Sequence, residues 1–222
     1  MIDQFNRIVV LTGAGISAES GVATFRGSDG LWHGHKIEEV ATPEAFAANP
    51  DLVQAFYNAR RQQLLEDVDP NPAHHHLAEF EQQFSGDFLL VTQNVDNLHD
   101  RAGSKNLLHM HGELTKARHV HHGEVVDCHK DLEGTEWRPH IVWFGEMPFY
   151  MDQIYAALEA CDLFVSIGTS GQVYPAAGFV EVAKSRGAHA VQINIESAHD
   201  FSMFDEHLVG PATEIVPEFF RL

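Results

Sequence analysis

Five short apolar runs bounded by turn residues set the architecture: Arg7 to Leu11, Phe88 to Thr92, His140 to Phe144, Leu163 to Ile167 and Ala190 to Ile195. Apolar on consecutive rather than alternate residues, they read as strands buried on both faces, the pattern of a parallel sheet. Helix-like segments, notably Met151 to Ala160 and Ala176 to Ser185, lie between several of them. Parallel neighbours need such crossovers, and these should be right-handed. The expected fold is α/β, a Rossmann-like parallel sheet in a single domain over residues 1–222.

Two stretches break the alternation, about 24–84 and about 112–139. The first reads as a small helical lobe, with Pro43 near one helix start and Asn71-Pro72 opening another after the break at Asp67 to Pro70. The second is rich in His, Gly and charge, with weak periodicity, and reads as an irregular insertion over the sheet edge.

The chain has 32 acidic against 14 basic residues, a formal charge of -18. That field repels nucleic-acid phosphates and anionic membranes and attracts lysine-rich proteins, although acidity also serves solubility. Cys128 and Cys161 are the only cysteines, too few for a disulfide framework or a four-cysteine zinc site, so a reducing cytoplasm is expected. The run from Met1 to Leu11 has no basic, apolar leader, and no apolar stretch approaches the ~20 residues that cross a bilayer. Neither membrane nor nucleic acid is an expected partner, and a monomer is expected.

Gly13-Ala14-Gly15-Ile16-Ser17-Ala18 follows the first strand directly. Small residues there let backbone N–H groups and a helix N-terminus approach a pyrophosphate; a plain strand-to-helix turn has the same pattern. Thr24-Phe25-Arg26-Gly27 follows at once, and no strand ending in a ribose-binding acid stands about 20 residues on, so an ordinary dehydrogenase does not fit. Thr92-Gln93-Asn94-Val95-Asp96-Asn97-Leu98-His99 ends the second strand, where open α/β sheets place ligands. Asp96 or Asn97 could cap a helix, but the cluster holds more amides and acids than capping needs.

His109-Met110-His111-Gly112 offers a histidine, a general base near neutral pH because its ordinary pKa is about 6.5, beside a glycine that permits close approach. Gly168-Thr169-Ser170-Gly171 and Asn194-Ile195-Glu196 end two further strands on the same sheet edge. The first could bind phosphate or ribose and the second ribose hydroxyls; either could be a plain turn.

Together these motifs resemble the sirtuin family nearly end to end, through Gly13 to Gly27, Thr92 to His99, His109 to Leu114, Arg138 to Pro148, Gly168 to Gly178 and Asn194 to Glu196. The resemblance implies an NAD-dependent protein-lysine deacylase. In sirtuins the acyl oxygen of a modified lysine attacks the nicotinamide-bearing ribose carbon, and water then frees the lysine. Nicotinamide and O-acyl-ADP-ribose leave, so NAD is consumed and no hydride moves. His111 would activate a ribose hydroxyl, and Asn94 and Asp96 would position the ribose and nicotinamide or the water. Gln93 would contact the ribose, Phe25 and Arg26 would belong to a loop that closes on NAD, and Val95, Trp32 and Ala212 would add cofactor contacts. Val142-Trp143-Phe144-Gly145 and Val173-Tyr174 resemble the two edges between which a substrate peptide lies as an added strand.

Tyr57 and Arg60 stand three apart, so on a helix they share a face. A guanidinium that can bind a carboxylate bidentately, with a hydroxyl beside it, suits succinyl, malonyl or glutaryl lysine. The pair resembles the desuccinylase-type class, in which a small residue such as Ala41 widens the acyl pocket; acetyl removal is expected alongside. The alternative for Arg60 and Arg61 with Glu66 is an exposed salt-bridged face, and the same spacing from the Ala41-Thr42-Pro43 turn as in that class favours the carboxylate-reading role.

Sirtuins usually carry four cysteines on a structural zinc within the region 112–139, where this chain has only Cys128. The spacing of His119, His121, His122 and His129 matches no standard zinc pattern, so a shortened, metal-free module is expected. His74-His75-His76 reads as a solvated helix start, since adjacent helical side chains diverge. ADP-ribosyl transfer to protein shares the first chemical step and stays open. A non-catalytic binding module would be expected to lack His111, Asn94 or Asp96.

Overall fold

The computed structural model describes residues 2–23, 34–196 and 203–221. Its strands are β1 (Arg7–Thr12), β2 (Asp87–Thr92), β3 (Leu107–His109), β4 (Gly112–His119), β5 (Val125–Asp127), β6 (Trp137–Ile141), β7 (Leu163–Ile167), β8 (His189–Asn194) and β9 (Glu206–Val209). Its helices are α1 (Ile37–Val40), α2 (Pro43–Ala48), α3 (Pro50–Glu66), α4 (Pro72–Gln83), α5 (Leu98–Ala102), α6 (Met151–Ala160), α7 (Phe179–Ser185) and α8 (Ala212–Phe219).

Six strands form a wholly parallel sheet in the order β3-β2-β1-β7-β8-β9. The consecutive apolar residues of β1 and β7 are buried because helices cover both faces. Ile8, Val10, Leu90 and Val165 pack on one face with Leu77 and Phe80 of α4 and Val216 of α8. Val9, Leu11, Val91 and Phe164 pack on the other with Ile154 and Leu158 of α6 and Phe179 of α7. Each such side chain contributes about 1.5–3 kcal/mol on burial, which makes the sheet a rigid platform. The connections diverge on either side of the β1–β7 pair, and such a switch point leaves a crevice at the carboxyl ends of the strands.

The helical lobe follows its capping residues. Thr42 Oγ1 accepts from Ala45 N–H at 3.0 Å, Asn49 Oδ1 from Leu52 N–H at 3.2 Å and Asn71 Oδ1 from Ala73 N–H at 3.0 Å. Each cap is followed by a proline whose fixed φ suits the first helical position. Val53, Phe56, Tyr57 and Leu64 of α3 then bury against Val40, Leu114, Ile141 and Trp143.

Three expectations change. The run His140 to Phe144 is not a strand of the parallel sheet: β6 ends at Ile141 and pairs antiparallel with β4. Region 112–139 is not wholly irregular but carries a three-stranded antiparallel sheet, β5-β4-β6. Pro139 is tolerated because β6 is an edge strand, and all three residues of β5 are exposed, so neither leaves an apolar run in the sequence. The strand ending at Asn194 is not the last, since β9 follows it at the sheet edge.

Candidate active site

Two loops cross in contact at the switch point. Gly13 N–H donates to Ile167 O at 3.0 Å and Gly15 N–H to Gly168 O at 2.9 Å. A Cβ on Gly15 would lie 2.6 Å from Gly168 Cα, and one on Gly168 would lie 2.5 Å from Ile16 N, so glycine is required where the backbones touch. Gly168 also has a φ of +61°, in the left-handed region. The turn after β1 continues as two successive 3-10 turns, Ala14–Ile16 and Ala18–Ser20, in place of the expected helix N-terminus.

Below this crossing lies a buried polar network whose hub is Ser17. Its hydroxyl donates to Asp96 Oδ2 at 3.0 Å and accepts from Asn94 Nδ2 at 3.1 Å. His74 Nδ1 accepts from Asn71 N–H at 3.3 Å, which leaves the proton on Nε2 to be donated to Ser17 Oγ, also at 3.3 Å. Asn94 Nδ2 reaches Gly13 O as well, at 3.2 Å. Asp96 does the capping that the sequence allowed, its Oδ1 accepting from Leu98 N–H at 3.1 Å, while Oδ2 stays on Ser17. Burial pushes the Asp96 carboxyl up, against the hydrogen bonds that lower it.

A second layer backs the first. Thr12 and Thr92 end β1 and β2 in register, their hydroxyls 2.9 Å apart, and His99 Nε2 lies 3.0 Å from Thr12 Oγ1. The rings of His74 and His99 meet edge to face with centroids 4.8 Å apart. Burial drives the pKa of His74 down to about 3 and that of His99 well below the ordinary value, so both act as neutral donors and spacers. This corrects the reading of His74 as solvated: within the triple tract it alone turns fully inward.

His111 stands beside this cluster on the turn between β3 and β4. Its Nδ1 lies 3.0 Å from the Gln93 carbonyl oxygen, which can only accept, so Nδ1 carries the proton and Nε2 is left as the basic atom. Burial lowers its pKa, with the Gln93 bond opposing, and a neutral base results near pH 7. The segment is tied down at both ends. Met110 N–H donates to Thr92 O at 3.0 Å, and Val142 N–H donates to His111 O at 2.8 Å, linking the base to the 142–145 segment.

That segment brings the acyl-pocket candidates together. Phe144 N–H donates to Ala41 O at 3.0 Å, and Trp143 Nε1 donates to the Tyr57 hydroxyl, also at 3.0 Å. Tyr57 is fully buried, which pushes its phenol pKa up. The Arg60 guanidinium lies 3.3 Å above the Phe56 ring, and burial lowers its pKa to about 10, with Tyr57 opposing. The other side of the Trp143 ring system is fixed by Arg138, 3.3 Å from the ring centre and paired with Glu146 at 2.7 Å. Gly145, at a φ of +90°, turns the chain so that Glu146 Oε2 accepts from Trp143 N–H at 2.8 Å. Arg61, which could have been an exposed partner of Glu66, is instead buried and bonded to Leu114 O at 2.8 Å.

The remaining candidates are more open. Thr169 bonds Ser166 at 2.9 Å, and Asn194 Nδ2 donates to Thr169 O at 2.9 Å, joining the ends of β7 and β8. Ser170, Ile195 and Glu196 are exposed beside them, Ala18 is exposed on its 3-10 turn, and Ala212 begins α8. Val142 and Val173 are half-buried, Val95 lies against the helical lobe, and Phe144, Gly145 and Tyr174 are exposed at the rim. Thr24, Phe25, Arg26 and Trp32 lie outside the described residues. Thr12 was missed as a site-shaping residue, Thr92 and His99 were read only as the ends of the polar cluster, and His74 as solvated. A threonine closing each of two paired strands was a readable signal for Thr12 and Thr92.

The donor set fits a dinucleotide. An amide, a carboxylate and a neutral imidazole meet at the carboxyl ends of parallel strands, and Asn97 Oδ1 is buried there with no hydrogen-bond partner among the described residues. The donors of the small sheet do not fit a thiolate-held zinc. Cys128 is its single cysteine, packed with Ala117 and Leu132 and donating from Sγ to Lys130 O at 3.3 Å.

Comparison with known proteins agrees. The Sir2 family model matches residues 13–175. An NAD-dependent protein deacylase from Pasteurella multocida (strain Pm70) is 58% identical, over 96% of this chain and 96% of the relative. A solved Sir2 homologue in complex with NAD superposes with a TM-score of 0.90 at 38% identity, over 99% of this chain and 90% of that one. Sir2Af2 bound to a myristoylated histone peptide gives a TM-score of 0.77 at 30% identity, over 99% and 92%.

Proposed function

The chain belongs to the Sir2 family and is an NAD-dependent protein deacylase, and from that premise we propose that it removes succinyl, malonyl and glutaryl groups, and acetyl groups as well, from protein lysines. The observation that supports the acyl reading is the wall in which Tyr57 meets Trp143 in one buried cluster with Ala41, while Arg60, three residues on in the same helix, lies over Phe56 and acts electrostatically on Tyr57. Arg60 supplies a cation whose exposure is reduced, where a carboxylate contact is strengthened by the lower dielectric. The small side chain of Ala41 would leave room for an acyl chain longer than acetyl, as the resemblance to the desuccinylase-type class implies.

NAD, when bound, supplies an electrophilic ribose carbon with nicotinamide as its leaving group. In this reading the 13–18 turn, Gly168 to Ser170, Asn194 to Glu196 and Ala212 would hold its phosphates and riboses, and Thr24, Phe25, Arg26 and Trp32, which lie outside the described residues, are assigned to the cofactor from the sequence alone. His111 Nε2 would take a proton from a ribose hydroxyl, and the Gln93 carbonyl, accepting from Nδ1–H, would stabilise the imidazolium. Asn94 and Asp96, fixed by Ser17, position the ribose and nicotinamide or the water. Packing of Trp143 and Phe144 around the lysine stem keeps bulk water from the reacting centre. The backbones of 142–145 and 173–174 pair with the substrate as an added strand, which makes recognition tolerant of peptide sequence. Two free, buried thiols accord with a reducing compartment such as the cytoplasm.

The test is incubation with NAD and a panel of acyl-lysine peptides, with products read by mass spectrometry. Free lysine peptide, nicotinamide and O-acyl-ADP-ribose in equal amounts are expected. NADH, or ADP-ribose left on the peptide, would overturn the reading.

A further inference from the structure

One face of α3, next to the face that carries Tyr57 and Arg60, presents Gln54, Asn58 and Arg61, spaced four and three residues apart. Each grips the backbone of the loop 128–136 or the strands that border it. Gln54 Nε2 donates to Gly134 O at 3.0 Å and Trp137 O at 2.7 Å. Asn58 closes a two-way bond with Leu132, Nδ2 donating to its carbonyl and Oδ1 accepting from its N–H, both at 2.9 Å. Arg61 Nε donates to Leu114 O at 2.8 Å, and its Nη1 reaches Lys130 O at 3.3 Å and Asn58 Oδ1 at 2.8 Å. Irregular backbone of this kind must place its polar groups somewhere, and here three side chains of a single helix take five carbonyls and one N–H.

The bonds do more than hold a loop. They fix the entry to β6, and β6 leads directly to the segment in which Trp143 meets Tyr57. Arg61 and Asn58 are cross-linked and lie next to Arg60 and Tyr57 in the same helix, so a shift of the small sheet against α3 would change the gap between Tyr57 and Trp143. On the cofactor side Ser17, Asn94 and Asp96 are held by one another and by the parallel strands, and the small sheet and the segment after it meet that side through two backbone bonds, Leu114 N–H to Val95 O and Val142 N–H to His111 O, both at 2.8 Å.

We propose that Gln54, Asn58 and Arg61 are positioning residues for the acyl-lysine substrate, setting the register between the α3 wall and the Trp143 segment without touching the cofactor. This rests on the deacylase reading above. The experiment is steady-state kinetics of Asn58→Ala and of the milder Gln54→Ala, with peptide KM and NAD KM measured separately, each well below the variant's Tm. Peptide KM should rise roughly five- to tenfold in Asn58→Ala, and less in Gln54→Ala, while NAD KM stays within about twofold. Asn58→Asp, which keeps the Oδ1 acceptor, should recover part of the loss. Peptide and NAD constants that move together, or a lower Tm with both constants unchanged, would reduce the three residues to a structural role and overturn the proposal. Wild-type protein that turns over no acyl-lysine peptide would instead overturn the underlying reading, and this inference with it.

Discussion

Trp143 Nε1 donates to the Tyr57 hydroxyl at 3.0 Å, joining the segment after β6 to the middle of α3. The indole is held from its other side by Arg138, itself clamped by Glu146 at 2.7 and 2.9 Å. A buried aromatic pair with its polar atoms satisfied has little freedom to repack, so under the proposed function the width of the acyl pocket is set by the fold before substrate arrives.

Loss of the proposed base is the first consequence to measure. His111→Ala removes Nε2 and leaves the crossing loops at Gly13 and Gly168 untouched. Turnover should fall by roughly 10² to 10⁴ while NAD affinity and Tm change little. Near-normal turnover would show that another group takes the proton.

The pH dependence follows from the direction of the His111 shift. Burial lowers its pKa below the ordinary value of about 6.5, and the base works only when unprotonated. Activity should therefore persist as pH falls through 6.5 and be lost only below it. A kcat/KM profile whose acid limb sits at or above that value would contradict the assignment.

Ser17→Ala tests the hub. The substitution strips a partner from Asn94, Asp96 and His74 at once. A buried donor or acceptor left without its partner costs about 1–3 kcal/mol, which in a chain of this size lowers Tm by roughly 2–4 °C per kcal/mol. Turnover should fall with it, because Asn94 and Asp96 lose their fixed orientation. An unchanged Tm in thermal denaturation would show that the network carries no stability.

The parallel sheet was legible because β1, β2, β7 and β8 are apolar on consecutive residues, and the lobe was legible from Thr42-Pro43 and Asn71-Pro72. The small sheet was not: Val125, Val126 and Asp127 are all exposed, and Pro139 and the histidines mask any alternation. The exposed edge strand β9 escaped for the same reason. His74 was misread because its burial depends on Ser17 and His99, which sit far away in sequence, and nothing local tells it from His75. Motif residues such as Asn94, Asp96 and His111 stood out as polar groups at strand ends, whereas the three-residue grip of α3 appears only when the loop is seen against it.

Chelation bears on how the small sheet is held. One buried cysteine and the side chains of α3 account for its attachment, so prolonged treatment with a strong chelator should leave Tm and activity within error of the untreated protein. Stoichiometric zinc by elemental analysis, with a lower Tm after its removal, would contradict this.

Carboxylate reading by Arg60 is tested most directly by kcat/KM on matched succinyl-lysine and acetyl-lysine peptides for wild type and Arg60→Met. Loss of a charged contact in a partly desolvated pocket should cost the succinyl peptide about 2–3 kcal/mol, a fall of roughly 30- to 150-fold, and leave the acetyl peptide nearly unchanged. Equal losses on the two peptides would remove Arg60 from the carboxylate-reading role and with it the assignment to acidic acyl groups.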